Sequence, residues 1–502
     1  MTDTKKKGGW NTVAKISMAI ALIITVWAVA FNANFTVVSN AVYSFITTDF
    51  SWLYLLAMLS FVIFCIAIAC SKYGNIKLGP DDSKPEHSTK SWFAMLFGAG
   101  MGVGLVFWGI SEPIAHFTAP IAGIEPGSEE AASFAMRTVF MHWGLHPWAG
   151  YCVIGLGLAY FSFRKGKPGL ISSVFEPLIG EKGVKGWLGK TIDILAVFAT
   201  LAGVITSLGL GVLQINAGLN QVFGIPQALM VQIIIIAVIA IIYVWSSVAG
   251  IEKGIALIGD INLYVAFGVL VVAFLVGPHI EILKNLTNGL GQYVNNFFGD
   301  ALMMEPYGED SFNASWRVFY WAWWIAWAPF SGSFIARISK GRTVREFICG
   351  VMLAPAIASF IWFAIMGSLP LHLFSTGAMT LEQLTAISAV PETGLFAIIA
   401  QYPLGSILCV VLLVLICTFF ITSANTGTFV LSMFTTDGDL NPPNNKKVIW
   451  GVLMAVLAVG LLMAGGLKPL QTISLAAAFP FIFIMIFAGV AFVKALHENE
   501  KV

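Results

Sequence analysis

Long apolar runs alternate with short polar connections from residue 13 to residue 493. Twelve of these runs approach the length a helix needs to cross the hydrocarbon core of a bilayer, about 20 residues at 1.5 Å per residue. They lie near 13–31, 52–70, 92–110, 138–160, 192–213, 229–249, 261–276, 319–338, 348–366, 405–431, 448–463 and 474–493. The pattern predicts an all-α polytopic membrane protein with 12 transmembrane helices, the seventh and eleventh being the shortest. The first run lacks a small-residue cleavage site and is too long for a signal-peptide core, so it is read as retained. Composition agrees, because 58% hydrophobic and 11% charged residues make the chain too apolar for an ordinary soluble protein. A formal net charge of +1 points to no nucleic-acid partner.

Charge placement sets the expected orientation, since cytoplasmic loops retain Lys and Arg. Lys5, Lys6 and Lys7 precede the first span, and the even-numbered connections carry Lys72 to Lys90, Arg164 to Lys190, Lys253, Arg337 to Arg345, and Lys446 with Lys447. Only Arg137, Lys284, Arg317 and Lys468 fall on the other side, leaving 23 of the 27 basic residues on one face (27 less 4). A miscounted span would invert every later loop and destroy this asymmetry. The expectation is a multi-pass protein of the cell (plasma) membrane with both termini cytoplasmic.

Two spans carry features that a plain spanning helix avoids. The third contains Gly98, Gly100, Gly102 and Gly104, spaced two apart and so visiting opposite faces of a helix. One close-packed interface cannot use them all. Local unwinding is the better reading, and unwound backbone at membrane depth is tolerated where it lines a cavity, its carbonyls free to meet an alkali cation. The eighth places Trp321, Trp323, Trp324 and Trp327 within seven residues, followed by Pro329 and Ser331-Gly-Ser333, a second candidate break. An interfacial aromatic belt is the bland explanation, but belts use one or two Trp or Tyr at a span end. A cage for a quaternary ammonium fits better, because such a cation donates no hydrogen bond and indole faces can replace its weakly held water.

The two unusual spans are five apart, which matches transporters built from inverted five-helix repeats with substrate and ions held between broken helices. The expected organisation is a LeuT-like 5+5 inverted repeat, helices 3–7 and 8–12, with two extra N-terminal helices. In residues this gives an N-terminal cytoplasmic tail at 1–12, the additional helices at 13–90, the first repeat at 91–276, an outer connection at 277–318, the second repeat at 319–493 and a short cytoplasmic tail at 494–502. Within the outer connection, 280–298 reads as an amphipathic helix lying on the surface. The charged stretch Arg337 to Glu346 either serves topology or gates an inner vestibule through ion pairs. Six cysteines lie in or beside apolar runs without metal-site spacing, and His142 with His146, although one helical turn apart, lack the Glu of a zinc motif; both sets are read as packing residues. Asp193 and Asp260 sit near span ends, where a structural or gating part is expected.

The chain resembles the betaine/carnitine/choline transporter family along nearly its whole length. The resemblance is carried by Gly98-Ala-Gly-Met-Gly-Val-Gly104, His142-Trp-Gly-Leu-His-Pro-Trp148, Ser207-Leu-Gly-Leu-Gly211, Tyr320-Trp-Ala-Trp-Trp324, Ala336-Arg-Ile-Ser-Lys-Gly-Arg-Thr-Val-Arg-Glu346 and Phe419-Phe-Ile-Thr-Ser-Ala424. It implies the same repeat fold, commonly a homotrimer, and a small-molecule substrate bearing a quaternary ammonium group. It implies an aromatic box with Trp143, Trp148 and Tyr151 as one wall and Trp323, Trp324 and Trp327 as the other. The backbone at Met101, Gly102 and Gly104 would face the substrate's anionic end. In sodium-coupled relatives one ion site uses positions that are here Gly98, Met101 and Phe419 for carbonyls and Thr422 and Ser423 for hydroxyls. Five oxygens suit a hard cation, although such hydroxyls commonly bond back to their own helix.

Two departures bear on stoichiometry: Asn425 stands where relatives often carry Asp, and a second sodium site keeps Thr200 but has Val204 where a hydroxyl is expected. Sodium-independent exchangers in the family substitute side chains for the ions, including a methionine where this chain has Ser331. Choline specificity tends to accompany an acid in the glycine-rich segment, and none is present near Gly104. The expected function is therefore import of a betaine zwitterion, such as glycine betaine or carnitine, by sodium symport, with no other cofactor. The alternatives are sodium-independent exchange against a metabolite, or choline uptake. A channel would show pore loops or charge rings, and an enzyme would show clustered chemistry-bearing residues at membrane depth. Neither is expected. Osmotically regulated relatives can carry long charged C-terminal extensions, which the nine residues from Lys494 do not resemble, so uptake without osmotic gating and osmoprotective uptake both remain open.

Overall fold

The computed structural model describes residues 10–100, 102–249, 252–308 and 310–500. Among them the regular structure is helical, apart from one isolated bridge between Lys77 and Thr343. In order, the helices are α1 (Thr12–Ala30), α2 (Asn32–Asp49), α3 (Ser51–Cys70), α4 (Thr89–Gly100), α5 (Val103–Thr118), α6 (Glu129–Trp143), α7 (Leu145–Ala159), α8 (Glu176–Lys185), α9 (Trp187–Phe223), α10 (Leu229–Val248) and α11 (Glu252–Val276). They continue with α12 (His279–Asn295), α13 (Phe297–Leu302), α14 (Val318–Ile338), α15 (Val344–Ser375), α16 (Leu381–Ala389), α17 (Gly394–Ile399), α18 (Gly405–Phe434), α19 (Asn444–Met463) and α20 (Leu467–Asn499).

Nine of these helices are long and apolar enough to cross a membrane, and α4 with α5, whose axes differ by 63°, make a tenth as one broken span. The chain is therefore a multi-pass, all-helical membrane protein. Helices also occupy the fourth and eighth apolar runs: α6 and α7 have 15 residues each, and α14 is the tryptophan-rich segment. Local sequence accounts for several starts. Asn11 caps α1 and Ser128 caps α6, each side chain accepting a backbone N–H, while Thr343 and Glu346 form a reciprocal capping box on α15.

Burial separates an inner bundle from an outer sheath. The most apolar stretch of α9 is 89% buried, whereas those of α10 and α11 are 28% buried, so α9 is wrapped by other helices and α10 and α11 turn side chains such as Ile241, Phe267 and Leu275 outward to lipid. Helices α5, α7, α14, α18 and α20 pack around α9 or one another.

Four findings correct or extend the sequence reading. The interruption expected after the Trp cluster is absent, since α14 runs unbroken through Pro329 to Ile338. Proline removes one backbone donor without ending the helix, and just beyond it Gly332 lets α14 approach α7 closely, since a methyl there would sit 3.0 Å from the Gly155 nitrogen. The fourth run instead breaks, at Gly144 between α6 and α7 (φ −91°, ψ −137°). An additional helix, α2, follows α1 directly. The last helix also extends through Lys494 to Asn499, six residues into the stretch expected to be a tail. The expected amphipathic helix is α12, which buries Ile282, Gly289 and Tyr293 and leaves Leu283 and Val294 exposed.

The Arg337–Glu346 stretch is tied to the 69–87 connection by backbone bonds and arginine contacts, with no ion pair between the two among the described residues. Leu78 and Gly341 exchange backbone bonds with Arg342 and Leu78, Arg345 reaches the carbonyls of Ala69 and Ser71, and the Arg342 guanidinium lies 3.9 Å over the Trp92 ring.

Candidate functional site

Helices α6, α7 and α14 bring most of the predicted aromatic residues to one place. Trp143 ends α6 at the Gly144 break, Tyr151 lies in α7, and Trp323, Trp324 and Trp327 follow one another along α14, which packs lengthwise on α7. The Trp143 ring stands nearly perpendicular to those of Trp323 and Trp324, with centroids 6.2 and 5.3 Å away, and Tyr151 lies 5.3 Å from Trp324. Edge-to-face pairing is the arrangement ring quadrupoles favour, and the same residues line a cavity of about 930 Å³.

Hydrogen bonds from the indole nitrogens anchor three of the rings. Trp323 and Trp327 both donate to the Ser207 hydroxyl of α9, at 3.3 and 3.1 Å, and Trp143 donates to Glu112 at 2.8 Å. Gly104 lets α5 approach, because a methyl there would overlap the Trp323 ring. Trp148 and Trp321 do not border the cavity. Trp148 is wholly buried behind Tyr151 and Trp324, so it supports the wall, and Trp321 packs on His142 and His146 on the far side of α14.

The same cavity reaches the residues expected to hold an ion. Gly98, Gly102 and Gly104 line it from the broken span, and Phe419, Thr422 and Ser423 line it from α18. Met101 lies outside the described residues. The Thr422 hydroxyl donates to the carbonyls of Thr418 and Phe419, both at 3.1 Å, which leaves its lone pairs unused. Thr200 is buried in α9 without a hydrogen-bond partner for its hydroxyl among the described residues, and it does not line the cavity. Val204 packs against Gly427, and Asn425 donates to the Ser246 hydroxyl at 2.9 Å, tying α18 to α10.

The cavity runs from the aromatic wall to the face where the chain's first described residues lie. Asp260, Arg337, Asn441 and Lys447 line that end, and Asn11 bonds Asp437 in the same loop. Away from that end, rings outside the cavity lining pack edge to face: Trp108 on Trp316 at 5.4 Å, and Trp316 on His116 at 4.5 Å.

Beneath these rings lies a cluster the sequence reading missed. Glu112 of α5 is fully buried and accepts from Tyr320 (2.5 Å) and Trp143 (2.8 Å) on one oxygen, and meets His142 (2.6 Å) and His116 (3.3 Å) on the other. The expected third span stopped at residue 110, which placed Glu112 in a loop, but α5 continues to Thr118. The signal available was an acid at helical spacing to His116 (i, i+4) in a segment otherwise poor in charge. The carboxylate and the two imidazoles lie within 4.8 Å of one another, compact enough to meet one small ion. As they stand, the four side chains already occupy both carboxylate oxygens.

A family model described as betaine/carnitine/choline family transporter matches residues 12–501. The chain belongs to that family. This transporter is 46% identical to a probable glycine betaine transporter of Desulfitobacterium hafniense (strain Y51) over 98% of both chains. It is 43% identical to a glycine betaine transporter of Bacillus subtilis (strain 168), over 98% of this chain and 95% of the relative. It is 41% identical to an ectoine/hydroxyectoine transporter of Virgibacillus pantothenticus, over 98% and 97%. The family and these relatives are transporters, not enzymes.

Proposed function

We propose that the transporter imports a quaternary ammonium zwitterion, glycine betaine or a close analogue, together with sodium, by alternating access. The observation that carries this reading is one cavity lined by two chemically distinct sets of residues: the aromatic side chains of Trp143, Tyr151, Trp323, Trp324 and Trp327, and the Gly98, Phe419, Thr422 and Ser423 set of backbone and hydroxyl oxygens. A trimethylammonium head is stabilised by each indole face by roughly 0.5 to 2 kcal/mol. The substrate carboxylate then falls toward Met101, Gly102 and Gly104, where the helix start of α5 offers unpaired backbone N–H groups. Sodium would be received as a co-transported ion by carbonyls of Gly98, Met101 and Phe419 and by the Thr422 and Ser423 hydroxyls, an oxygen set that suits a hard monovalent cation. Thr200, with its unpaired hydroxyl, is the candidate for a second ion, and Val204 beside it supplies no oxygen.

In the same reading the twelve apolar segments are twelve spans arranged as helices 3–7 and 8–12 in inverted repeats, both termini face the cytoplasm, the cavity therefore opens inward, and the assembly is a homotrimer. Because α14 is unbroken, the repeat relation rests on span parity and on the family resemblance more than on paired breaks.

The test is uptake of labelled glycine betaine into proteoliposomes with and without an inward sodium gradient, and with empty or betaine-loaded lumens. Accumulation into empty vesicles only with sodium is expected. Sodium-indifferent uptake restricted to loaded vesicles would establish exchange instead, and choline accumulation exceeding that of betaine would overturn the substrate assignment.

A further inference from the structure

Glu112 is a carboxylate placed behind the aromatic wall and outside the cavity. Its contact with the wall is the indole N–H of Trp143. Its charge state follows from its partners. Trp143 can only donate, and Tyr320 donates to the same oxygen. His142 Nε2 and His116 Nδ1 are buried without partners among the described residues. A proton on either of those nitrogens would be a buried unsatisfied donor, so the protons belong on His142 Nδ1 and His116 Nε2, both of which point at Glu112. Four donors then meet one ionised carboxylate, and the cluster carries one net negative charge. Further out, Arg137 pairs with Asp300 at 2.9 Å, and the buried Arg317 donates to the Met303 carbonyl at 3.4 Å and lies over the Phe312 ring.

A buried charge is screened less than a surface one, so it is still felt across the width of an indole. It also polarises the indole that donates to it, which makes the ring face more attractive to a cation. We propose that Glu112 is a specificity-determining residue, a fixed negative charge one indole behind the cage that selects positively charged head groups over neutral head groups of the same shape. This rests on the quaternary ammonium reading of the cavity.

The experiment compares binding of glycine betaine with its carbon isostere 3,3-dimethylbutyrate, in which a tert-butyl group replaces trimethylammonium and the carboxylate is kept. Binding is followed by tryptophan fluorescence on the purified full-length transporter in sodium chloride. Wild type is expected to prefer betaine. Glu112→Gln, whose carbonyl can still accept from Trp143 and Tyr320, is expected to reduce that preference on the order of tenfold, chiefly by weakening betaine while 3,3-dimethylbutyrate changes by less than about twofold. Tyr320→Phe removes a donor and leaves the charge, so the preference should persist. If Glu112→Gln does not fold, the double variant Glu112→Met, His142→Leu, which removes the charge and its closest imidazole with side chains of similar size, carries the same expectation. A wild type with no preference overturns the quaternary ammonium reading itself. A wild-type preference that survives neutralisation of Glu112, or equal loss of both ligands, overturns only the role assigned to Glu112.

Discussion

The two ends of the cavity are built in opposite ways. At the aromatic end Trp323 and Trp324 are 5% and 8% exposed, their rings interlock edge to face, and the indoles of Trp143, Trp323 and Trp327 are anchored by Glu112 and Ser207. At the other end Thr422 and Ser423 are half-buried, the Thr422 hydroxyl bonds its own helix, and glycines replace side chains along the broken span. A rigid, preformed wall suits a group that makes no hydrogen bonds and is recognised by shape and ring faces. Backbone carbonyls and hydroxyls suit an ion, which can organise them as it arrives. On the proposed reading, the ammonium pole would be fixed in the fold and the ion pole would be completed by its ligand.

If that contrast holds, the largest loss comes from the rigid end. Trp324→Ala is expected to weaken glycine betaine binding about 20-fold or more, measured by equilibrium titration, whereas Trp10→Ala, which removes a ring beside Lys446 on the terminal face, leaves it unchanged; equal effects would remove the cage. Ser423→Ala is expected to raise the sodium concentration for half-maximal uptake about tenfold while changing betaine affinity at saturating sodium by less than about threefold, so a loss independent of sodium would erase the distinction between the two ends. A smaller effect is expected of Ser207→Ala, which frees two indole N–H groups and should raise KM for betaine about three- to fivefold with kcat little changed.

The smallest effect on transport belongs to Glu500, which accepts from Arg164 (2.7 and 2.6 Å) and Tyr160 (2.7 Å) on the terminal face. Burial pushes its carboxyl up, but the Arg164 and Tyr160 bonds and the Lys165 charge outweigh this and hold it below the usual value. A depressed carboxyl contributes stability that is complete above the ordinary carboxylate range and is lost as pH falls through the folded value. Tm should therefore drop on acidification below about pH 4, with part of that slope absent in Glu500→Gln, whose betaine affinity matches wild type.

How much of this was legible in the sequence divides along the same line. Helices sit at each apolar run because apolarity over a span length is a local property. The aromatic wall was legible because Trp323, Trp324 and Trp327 cluster in one segment and Trp143 and Tyr151 lie in another with family motifs. Interruptions were less legible. Alternate glycines correctly marked the α4–α5 break, but Pro329 did not break α14, because one missing backbone donor need not end a helix packed along its length on α7, and Gly144 gave no sign beyond one glycine among many. Trp148 and Trp321 were separated from the cavity by which way each ring points, and spacing alone does not report that. Glu112 escaped because its meaning depends on residues from three helices meeting around it, and no window along the chain holds all of them.

The most direct test of the central claim, that one cavity holds an ammonium head at its aromatic end and sodium at its glycine and hydroxyl end, is tryptophan fluorescence titration of glycine betaine in sodium chloride and in potassium chloride. Saturable quenching is expected in sodium, with affinity at least about tenfold weaker in potassium, and little quenching by either route in Trp324→Ala. Equal affinity in the two salts, with the Trp324→Ala protein binding as wild type does, would contradict both halves of the claim.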